Sequence, residues 1–381
     1  MKLVLTGAAA LMLTAAPLFA GGIERAPQSL GILFEQGNYA ELSFGGVDPE
    51  VEGRDIAGFR TGDVAQGFGF VGFAYKHQFN ENLSAAFIVE QPFGADLLYP
   101  TAPLPPNPAN DGSPVLGGTR VQVDSTTYTA LLRYRFDNNV SVHGGIRGSY
   151  AEGGVTLDGL GYGGTAGYDL ELDGEWGTGY VVGAAYEIPD IAARVSLTYN
   201  SPIEHDFRMT ERGGPLPVAF VGDYTVKTPR SWTLEGQTGI AADTLLFGSV
   251  RWVKWSEFEV DNFLFPIAQG AGIPLVELED TTTYTIGVGR KFTDNWSGAM
   301  SFLYEDSEDG LISPLSPTNG RKAVTLAAIY TQDQFKITTG INYTKLGGGD
   351  LGVGETGNKT KVATMDDSEA WGIGVKIGYN F

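Results

Sequence analysis

The chain of 381 residues contains no cysteine, and this absence excludes two kinds of site. Neither a disulfide framework nor a thiolate metal site can form without cysteine. Histidine is also scarce, with only His77, His143 and His205. Hydrolytic catalysis needs a nucleophile, a base and an orienting group at matched geometry, and no spacing in the sequence indicates such a set. We therefore expect no catalytic residues, no metal site and no cofactor.

Basic residues are few in comparison with acidic ones. The chain has 25 Lys and Arg against 45 Asp and Glu, which gives a net charge of −20. Because phosphate contacts need a basic face, we expect no nucleic-acid partner. Acidic residues cluster in two presumed loops, at 305–309 and 366–369. Each cluster is either a solvated loop surface or a contact, through divalent cations, with neighbouring anionic lipid head groups.

Long apolar runs are missing beyond the N-terminus. A membrane helix needs about 18 or more apolar residues, and no segment after residue 20 approaches this length. Residues 1–20 have the form of a secretory signal peptide, in which Lys2 precedes an apolar stretch from Leu3 to Leu13, with cleavage expected after Ala20. The sequence therefore predicts a secreted chain without helical membrane spans.

The chain does contain alternation with a period of two residues. From Trp371 to Phe381 the odd positions are apolar and the even positions are small or polar. Successive side chains of a strand point to opposite faces, so this segment predicts a strand with one apolar face. A soluble sandwich strand could show the same pattern, but a chain that ends on such a strand and on Phe is typical of bacterial outer-membrane barrels. The same alternation places Arg133 and Arg147 on inward faces.

Short polar turns alternate with long loops rich in Gly, Pro and charge. Turns such as 80–82 and 137–139 lie between alternating apolar runs, which is typical of hairpins. Strands are predicted near 38–46, 67–79, 83–91, 119–136, 140–152, 175–188, 192–200, 230–241, 244–260, 281–292, 296–305, 321–331, 335–345 and 369–381. An even number of strands, with both termini on the periplasmic side, indicates closure without edge strands. We predict an all-β fold, a transmembrane antiparallel β-barrel of about fourteen strands over residues 38–381, present as a monomer.

Four short sequence patterns carry a resemblance to a known family. They are Thr228–Trp232 followed by Trp255-Ser256-Glu257-Phe258, Tyr199–Phe207, Asp294-Asn295-Trp296 followed by Glu305-Asp306-Ser307, and the closing strand Ala370–Phe381. Together they resemble segments of the outer-membrane long-chain fatty acid transporter family (FadL/OMPP1/TodX type).

The resemblance implies a fourteen-stranded barrel with an N-terminal plug in its lumen. It also implies capture of a hydrophobic ligand among the outer loops, passage to an apolar pocket and sideways exit at a kinked strand. Only Gly21–Gly37 separates the cleavage site from the first strand, so the plug is expected to be short and to cover residues 21–37. A second departure is Glu152, which stands where the family carries a basic residue after Tyr-Ala.

Apolar residues of the presumed outer loops 92–118 and 201–229 are candidates for a hydrophobic groove. Loops that face water seldom hold so many apolar groups unless they pack on one another or on a ligand, and both explanations stay open. With apolar residues of the plug, the predicted ligand-binding residues are Leu30, Leu33, Phe34, Phe93, Leu97, Phe207 and Phe220.

A fatty-acid carboxylate also calls for a cation. The candidates that face inward or lie at the base of a loop are Arg133, Arg147, Arg321, Lys336 and Lys376. Charge ladders are common in barrel lumens, however, and Glu90, Glu187 and Glu235 are available as ion-pair partners.

We expect a protein of the bacterial outer membrane that takes up hydrophobic compounds by passive binding and diffusion, with long-chain fatty acids as the foremost substrates. The alternatives are a general porin for small polar solutes and a structural or adhesive barrel. The expected partners are hydrophobic small molecules, outer-membrane lipid and, through the C-terminal Phe381, the barrel-assembly machinery.

Overall fold

The structure is a computed structural model that describes residues 23–26, 28–213, 218–260, 275–276, 278–307, 309–354 and 359–381. The predicted signal peptide, residues 1–20, lies outside the described residues, as do the first two residues of the predicted plug, Gly21 and Gly22.

The described residues form twenty β-strands and a few short 3-10 turns. The strands are β1 (Tyr39–Glu50), β2 (Gly53–Asp55), β3 (Phe68–Gln78), β4 (Leu83–Glu90), β5 (Gly94–Leu98), β6 (Arg120–Arg135), β7 (Val140–Leu157), β8 (Tyr168–Ile188), β9 (Ala193–Asn200), β10 (Ile203–Arg212), β11 (Phe220–Thr228), β12 (Ser231–Ala241), β13 (Thr244–Val253), β14 (Thr281–Lys291), β15 (Trp296–Glu305), β16 (Arg321–Gln332), β17 (Phe335–Leu346), β18 (Gly349–Val353), β19 (Thr360–Met365) and β20 (Ser368–Asn380). The 3-10 turns are Gly31–Phe34, Leu160–Thr165, Pro189–Ile191 and Trp255–Glu257. None of the helical segments within the described ranges is long and apolar enough to cross a membrane.

Fourteen of the described strands close into an antiparallel barrel. They are β1, β3, β4, β6, β7, β8, β9, β12, β13, β14, β15, β16, β17 and β20. The first and last strands pair along their whole length, from Tyr39↔Asn380 to Glu50↔Glu369, and this pairing closes the barrel. The predicted fold class is confirmed, and each of the fourteen predicted strands overlaps one of these strands.

The two faces of the barrel wall differ as the alternation predicts. Ile146 and Ile373 are 72% and 58% exposed on the outer face, whereas Arg147 is 4% exposed on the inner face. A charge on the lipid-facing surface costs a few kcal/mol near the midplane, which explains why the charged positions of these strands point inward. Exposed Trp232 and Trp296 lie near strand ends, where aromatic girdles form at membrane interfaces.

The outer loops contain more regular structure than the sequence predicts. Predicted loop 201–229 contains the hairpin β10–β11, and predicted loop 92–118 contains β5. Strands β18, β19 and β2 form a separate three-stranded sheet from two further predicted loops. Conversely, predicted strand 244–260 ends at Val253. Loop backbone that is buried under other loops must pair its N–H and C=O groups, and a single segment does not report this need.

Two apolar clusters occupy the interior. The outer cluster lies among the long loops and includes Phe93, Leu97, Phe207, Trp255 and Leu351. The second cluster, here called the inner cluster, consists of Leu30, Ile32, Leu33, Tyr39, Ala74, Ala86, Ile88, Leu131 and Val181, with Phe34 packed against it. Because the inner cluster joins residues 30–34 to strands of the wall, the chain before β1 lies inside the barrel.

Candidate functional site

Residues 23–37, here called the N-terminal segment, cross the lumen and are held there by buried ion pairs. Glu24 binds Arg251 of β13 through two contacts, Nε–Oε2 at 3.1 Å and Nη2–Oε1 at 2.5 Å. Glu35 binds Lys336 of β17 at 3.0 Å, and its carbonyl oxygen accepts a hydrogen bond of 2.7 Å from Lys76 of β3. These strands lie at separate places around the barrel, so the segment spans the interior and does not follow one wall.

An aromatic ring of the same segment lies between two cations. Phe34 has the guanidinium of Arg133 4.5 Å from its ring centroid and that of Arg194 4.0 Å from it. Arg133 also donates to the carbonyl oxygen of Leu33 at 3.0 Å and forms an ion pair with Glu187. The periplasmic half of the lumen is therefore filled by a short segment that charged residues of the wall hold in place.

The seven predicted ligand-binding residues fall into two groups. Phe93, Leu97 and Phe207 are buried in the outer cluster, and Phe220 packs against it. Leu30 and Leu33 belong to the inner cluster, and Phe34 packs against that one. The structure thus brings the four loop residues together and the three residues of the N-terminal segment together, but it does not join the two groups into one pocket.

Four of the five predicted carboxylate-binding cations already contact a carboxylate. The pairs are Arg133–Glu187, Arg321–Glu305, Lys336–Glu35 and Lys376–Glu41. Arg147 differs, since it is 4% exposed, has no ion pair among the described residues, and its Nη2 lacks a hydrogen-bond partner there. Arg147 is therefore the candidate with an unused donor.

Strand β3 has an unpaired edge near its outer end. It pairs with β1 from Phe68 to Lys76 but with β4 only from Phe73 onward, and no described strand pairs with Phe68–Gly72 on that side. The N-terminal segment covers the gap from inside, since the backbone N–H of Arg25 donates to Pro92 at 2.7 Å. The barrel wall is thus interrupted between β3 and the end of β4.

The wall beside this gap is thin. Gly46 of β1 pairs with Gly69 of β3 on the outer face, and neighbouring Gly45 pairs with Gly374 of β20 on the inner face. A Cβ at Gly45 would lie 2.5 Å from the Phe70 ring, so this position requires glycine. With few side chains on either face, this part of the wall separates the lumen from the lipid by little more than backbone.

A cavity of about 130 Å³ lies at this place. On the lumen side it is bordered by Arg25, Gln28, Ser29, Glu41, Ser43, Glu90, Asn342 and Lys376, and on the other side by wall residues such as Val71, Ile341, Ile373 and Val375. A depression of the outer surface shares Gly46, Phe70, Val71 and Ile373 with it. The cavity therefore connects residues of the lumen with the lipid-facing surface.

Arg25 is the cation at the inner side of this cavity. Its guanidinium lies 4.5 Å from the Phe68 ring centroid and 3.1 Å from Asp124. Burial lowers the pKa of Arg25, and the Asp124 carboxylate opposes this shift, so the guanidinium stays charged.

Sequence reasoning did not find Arg25, Gln28, Arg194 or Arg251 as functional candidates. Arg194 lies at an inward position of a correctly predicted strand, so the alternation could have found it. The other three act through contacts with distant parts of the chain, which no local pattern reports.

The histidines have structural surroundings. His143 Nε2 lies 3.2 Å from the Thr198 hydroxyl, and His205 Nε2 lies 3.2 Å from the carbonyl oxygen of Ser149. In the part of the chain that the structure describes, no group of three or more His, Asp or Glu residues could hold a metal ion.

The sequence matches the family model described as outer membrane protein transport protein (OMPP1/FadL/TodX) over residues 60–381. The chain belongs to this family. It is therefore an outer-membrane β-barrel, and the members of its family are transport proteins for hydrophobic compounds. No curated protein matches the chain significantly.

Solved structures show the same fold. A Pseudomonas aeruginosa FadL homologue has a TM-score of 0.73 and 14% identity, with 92% of each chain covered. The P. putida toluene transporter TodX has a TM-score of 0.63 and 14% identity, with 92% of this chain and 91% of that chain covered. The Ralstonia pickettii toluene transporter TbuX has a TM-score of 0.62 and 13% identity, with 92% and 90% covered.

Proposed function

We propose that this protein takes up hydrophobic compounds, foremost long-chain fatty acids, by passive binding and diffusion with sideways exit into the membrane. The observation that carries this proposal is the cavity at the unpaired edge of β3, which borders both the lumen and the lipid-facing surface. An apolar compound that leaves here enters the bilayer and never has to cross the polar periplasmic half of the lumen.

Entry takes place among the outer loops. Phe93, Leu97, Phe207 and Phe220 belong to or pack against one apolar cluster, so they can offer a continuous apolar surface to an acyl chain. Their burial is equally consistent with loop packing alone. Polar replacement of the half-buried Phe220 tests the groove, because this change removes less packing than replacement of the other three.

The N-terminal segment acts as the plug, with residues 21–37 as its extent. Leu30, Leu33 and Phe34 fill the lumen, while Glu24 and Glu35 tie the segment to the wall. This arrangement opposes the alternative of a general porin, because a porin needs an open, water-filled lumen.

The carboxylate of a fatty acid would be received by Arg147. Its Nη2 has an unused donor, whereas Arg133, Arg321, Lys336 and Lys376 would have to give up existing carboxylate partners. A charge-assisted hydrogen bond to a buried guanidinium is among the stronger polar contacts that a protein can offer.

The remaining parts of the proposal concern biogenesis and assembly. We infer that residues 1–20 are removed after secretion, that the protein inserts as a monomer surrounded by outer-membrane lipid, and that Phe381 serves recognition by the barrel-assembly machinery. The exposed ring of Phe381 packs edge-on against Tyr75 and Tyr379 at the end of the closing strand.

The test is uptake by proteoliposomes of a radiolabelled long-chain fatty acid and of glucose. We expect entry of the fatty acid without glucose. Gly46→Leu places a side chain over the thin wall, where a Cβ meets only ordinary contacts, and should reduce fatty-acid entry. Gly236→Leu is the matched control, because that glycine has open space around it on the outer face far from β3.

Glucose entry without fatty-acid entry would make the protein a porin. Equal fatty-acid uptake by wild type, Gly46→Leu and Gly236→Leu would move the exit away from the wall at β3.

A further inference from the structure

Gln28 borders the wall cavity in an unusual state. Its backbone φ is +55°, in the left-handed region that residues other than glycine rarely adopt, and its side chain is 6% exposed. Its amide nitrogen donates to Glu24 at 3.3 Å, and its Oε1 has no hydrogen-bond partner. Strained backbone of this kind is found preferentially at functional sites.

The orientation of the Gln28 amide is fixed by its neighbours. Glu24 is held by Arg251, and an ionised carboxylate only accepts hydrogen bonds. The NH₂ group of Gln28 must therefore face Glu24, which leaves the carbonyl oxygen as an acceptor without a donor. A buried acceptor in this state is stabilised by any ligand that brings a donor.

Glu90 supplies a second acceptor at the same cavity. It lines the cavity from the end of β4, and it has neither an ion pair nor a hydrogen bond to the described residues. Arg147 lies on its side of the lumen but does not pair with it. Two side-chain acceptors without a donor thus border one small space.

The charges around the cavity balance. Arg25 and Lys376 contribute two positive charges, and Glu41 and Glu90 contribute two negative ones. A free anion would meet two carboxylates and a cation would meet two basic groups, so the cavity favours a neutral ligand.

The size of the cavity restricts the ligand further. Its volume of about 130 Å³ is close to that of engineered cavities that bind benzene. The side chains of Val47, Phe70, Ile88 and Val89 supply apolar surface for a ring of this size. A long acyl chain cannot be enclosed in this volume.

We propose that this cavity binds a neutral hydroxylated aromatic ring, a phenol, which donates its O–H to Glu90 or Gln28 and rests its ring on the apolar part of the wall. The proposal rests on the proposed function, because the cavity lies on the sideways route, and it adds a substrate class that a purely apolar route would not favour.

The test measures binding of phenol and of toluene to the purified full-length protein in detergent by calorimetric titration. We expect phenol to bind more tightly than toluene. Glu90→Met and Gln28→Leu should each weaken phenol binding about tenfold, as the loss of a buried hydrogen bond does, and should leave toluene binding nearly unchanged. Glu90→Gln, which keeps an acceptor oxygen, should retain most of the affinity for phenol.

Glu152→Gln is the control for a lost carboxylate, since Glu152 is exposed and lies outside the cavity lining. Equal affinity of wild type for phenol and toluene, or phenol binding that neither the Glu90→Met nor the Gln28→Leu variant changes, would overturn the proposal. Fatty-acid uptake is measured in parallel on the same variants. If uptake persists while phenol binding fails, only this inference is lost, whereas absence of all hydrophobe uptake would reject the proposed function itself.

Discussion

In the outer half of the barrel the loops close over the lumen with apolar side chains, whereas in the periplasmic half charged side chains hold the N-terminal segment. Phe93, Leu97 and Phe207 represent the first kind of closure, and the buried pairs Glu24–Arg251 and Glu35–Lys336 the second. An apolar ligand can replace apolar contacts with others of the same kind. Separating a buried ion pair leaves two uncompensated charges, so the second closure resists an apolar ligand far more strongly.

This difference explains how one barrel can admit apolar compounds and still exclude polar ones. The outer closure can rearrange around an apolar ligand without exposing an unpaired polar group. The inner closure persists and directs the ligand toward the thin wall at β3, where Gly45 and Gly46 leave little more than backbone.

The largest effect is expected in the charged closure. Arg251→Met leaves buried Glu24 without its partner, and we expect the free energy of opening the N-terminal segment to fall by about 3–5 kcal/mol. Hydrogen exchange of the Arg25 amide, which is bonded to Pro92, measures this opening. Lys254→Met is the control, because its pair with Glu257 is more exposed and worth at most about 1 kcal/mol. Similar exchange in both variants would show that the charges do not hold the segment.

The apolar closure should respond to loss of volume. Leu97→Ala removes a side chain that is 1% exposed, and we expect β5 to lose about 2–5 kcal/mol of stability. The adjacent Leu98 is 39% exposed on the opposite face, so Leu98→Ala should change stability by no more than about 0.5 kcal/mol. Hydrogen exchange of the amide of residue 98, bonded to the carbonyl oxygen of Val64, reports on both variants. If the two substitutions have the same effect, the outer cluster is not a packed core.

The smallest effect concerns the aromatic contact of the charged closure. Phe34→Leu keeps an apolar side chain but removes the π face that lies between Arg133 and Arg194. Two cation–π contacts are together worth about 1–2 kcal/mol, and we expect the segment to open more readily by that amount. Labelling of Ser29→Cys by a membrane-impermeant thiol reagent measures the opening. Phe335→Leu, on the outer face, should leave the labelling rate unchanged.

The sequence by itself determined the architecture of the barrel. A strand between lipid and lumen must carry apolar side chains on one face, and this requirement writes a period of two into every segment that crosses the membrane. The fourteen strands, the inward positions of Arg133 and Arg147, and the closing strand that ends on Phe381 could all be read from that pattern. The requirement is local, so a single segment is enough to reveal it.

Only the tertiary structure decided how the lumen is closed and where the wall is interrupted. Glu24 and Arg251 are 227 residues apart in the chain, and their contact exists because barrel closure brings β13 opposite the N-terminal segment. The unpaired edge of β3 likewise depends on where β4 ends relative to its neighbour. Such contacts join segments that share no local pattern, because the geometry of the closed sheet sets them and the preference of each strand for its two solvents does not.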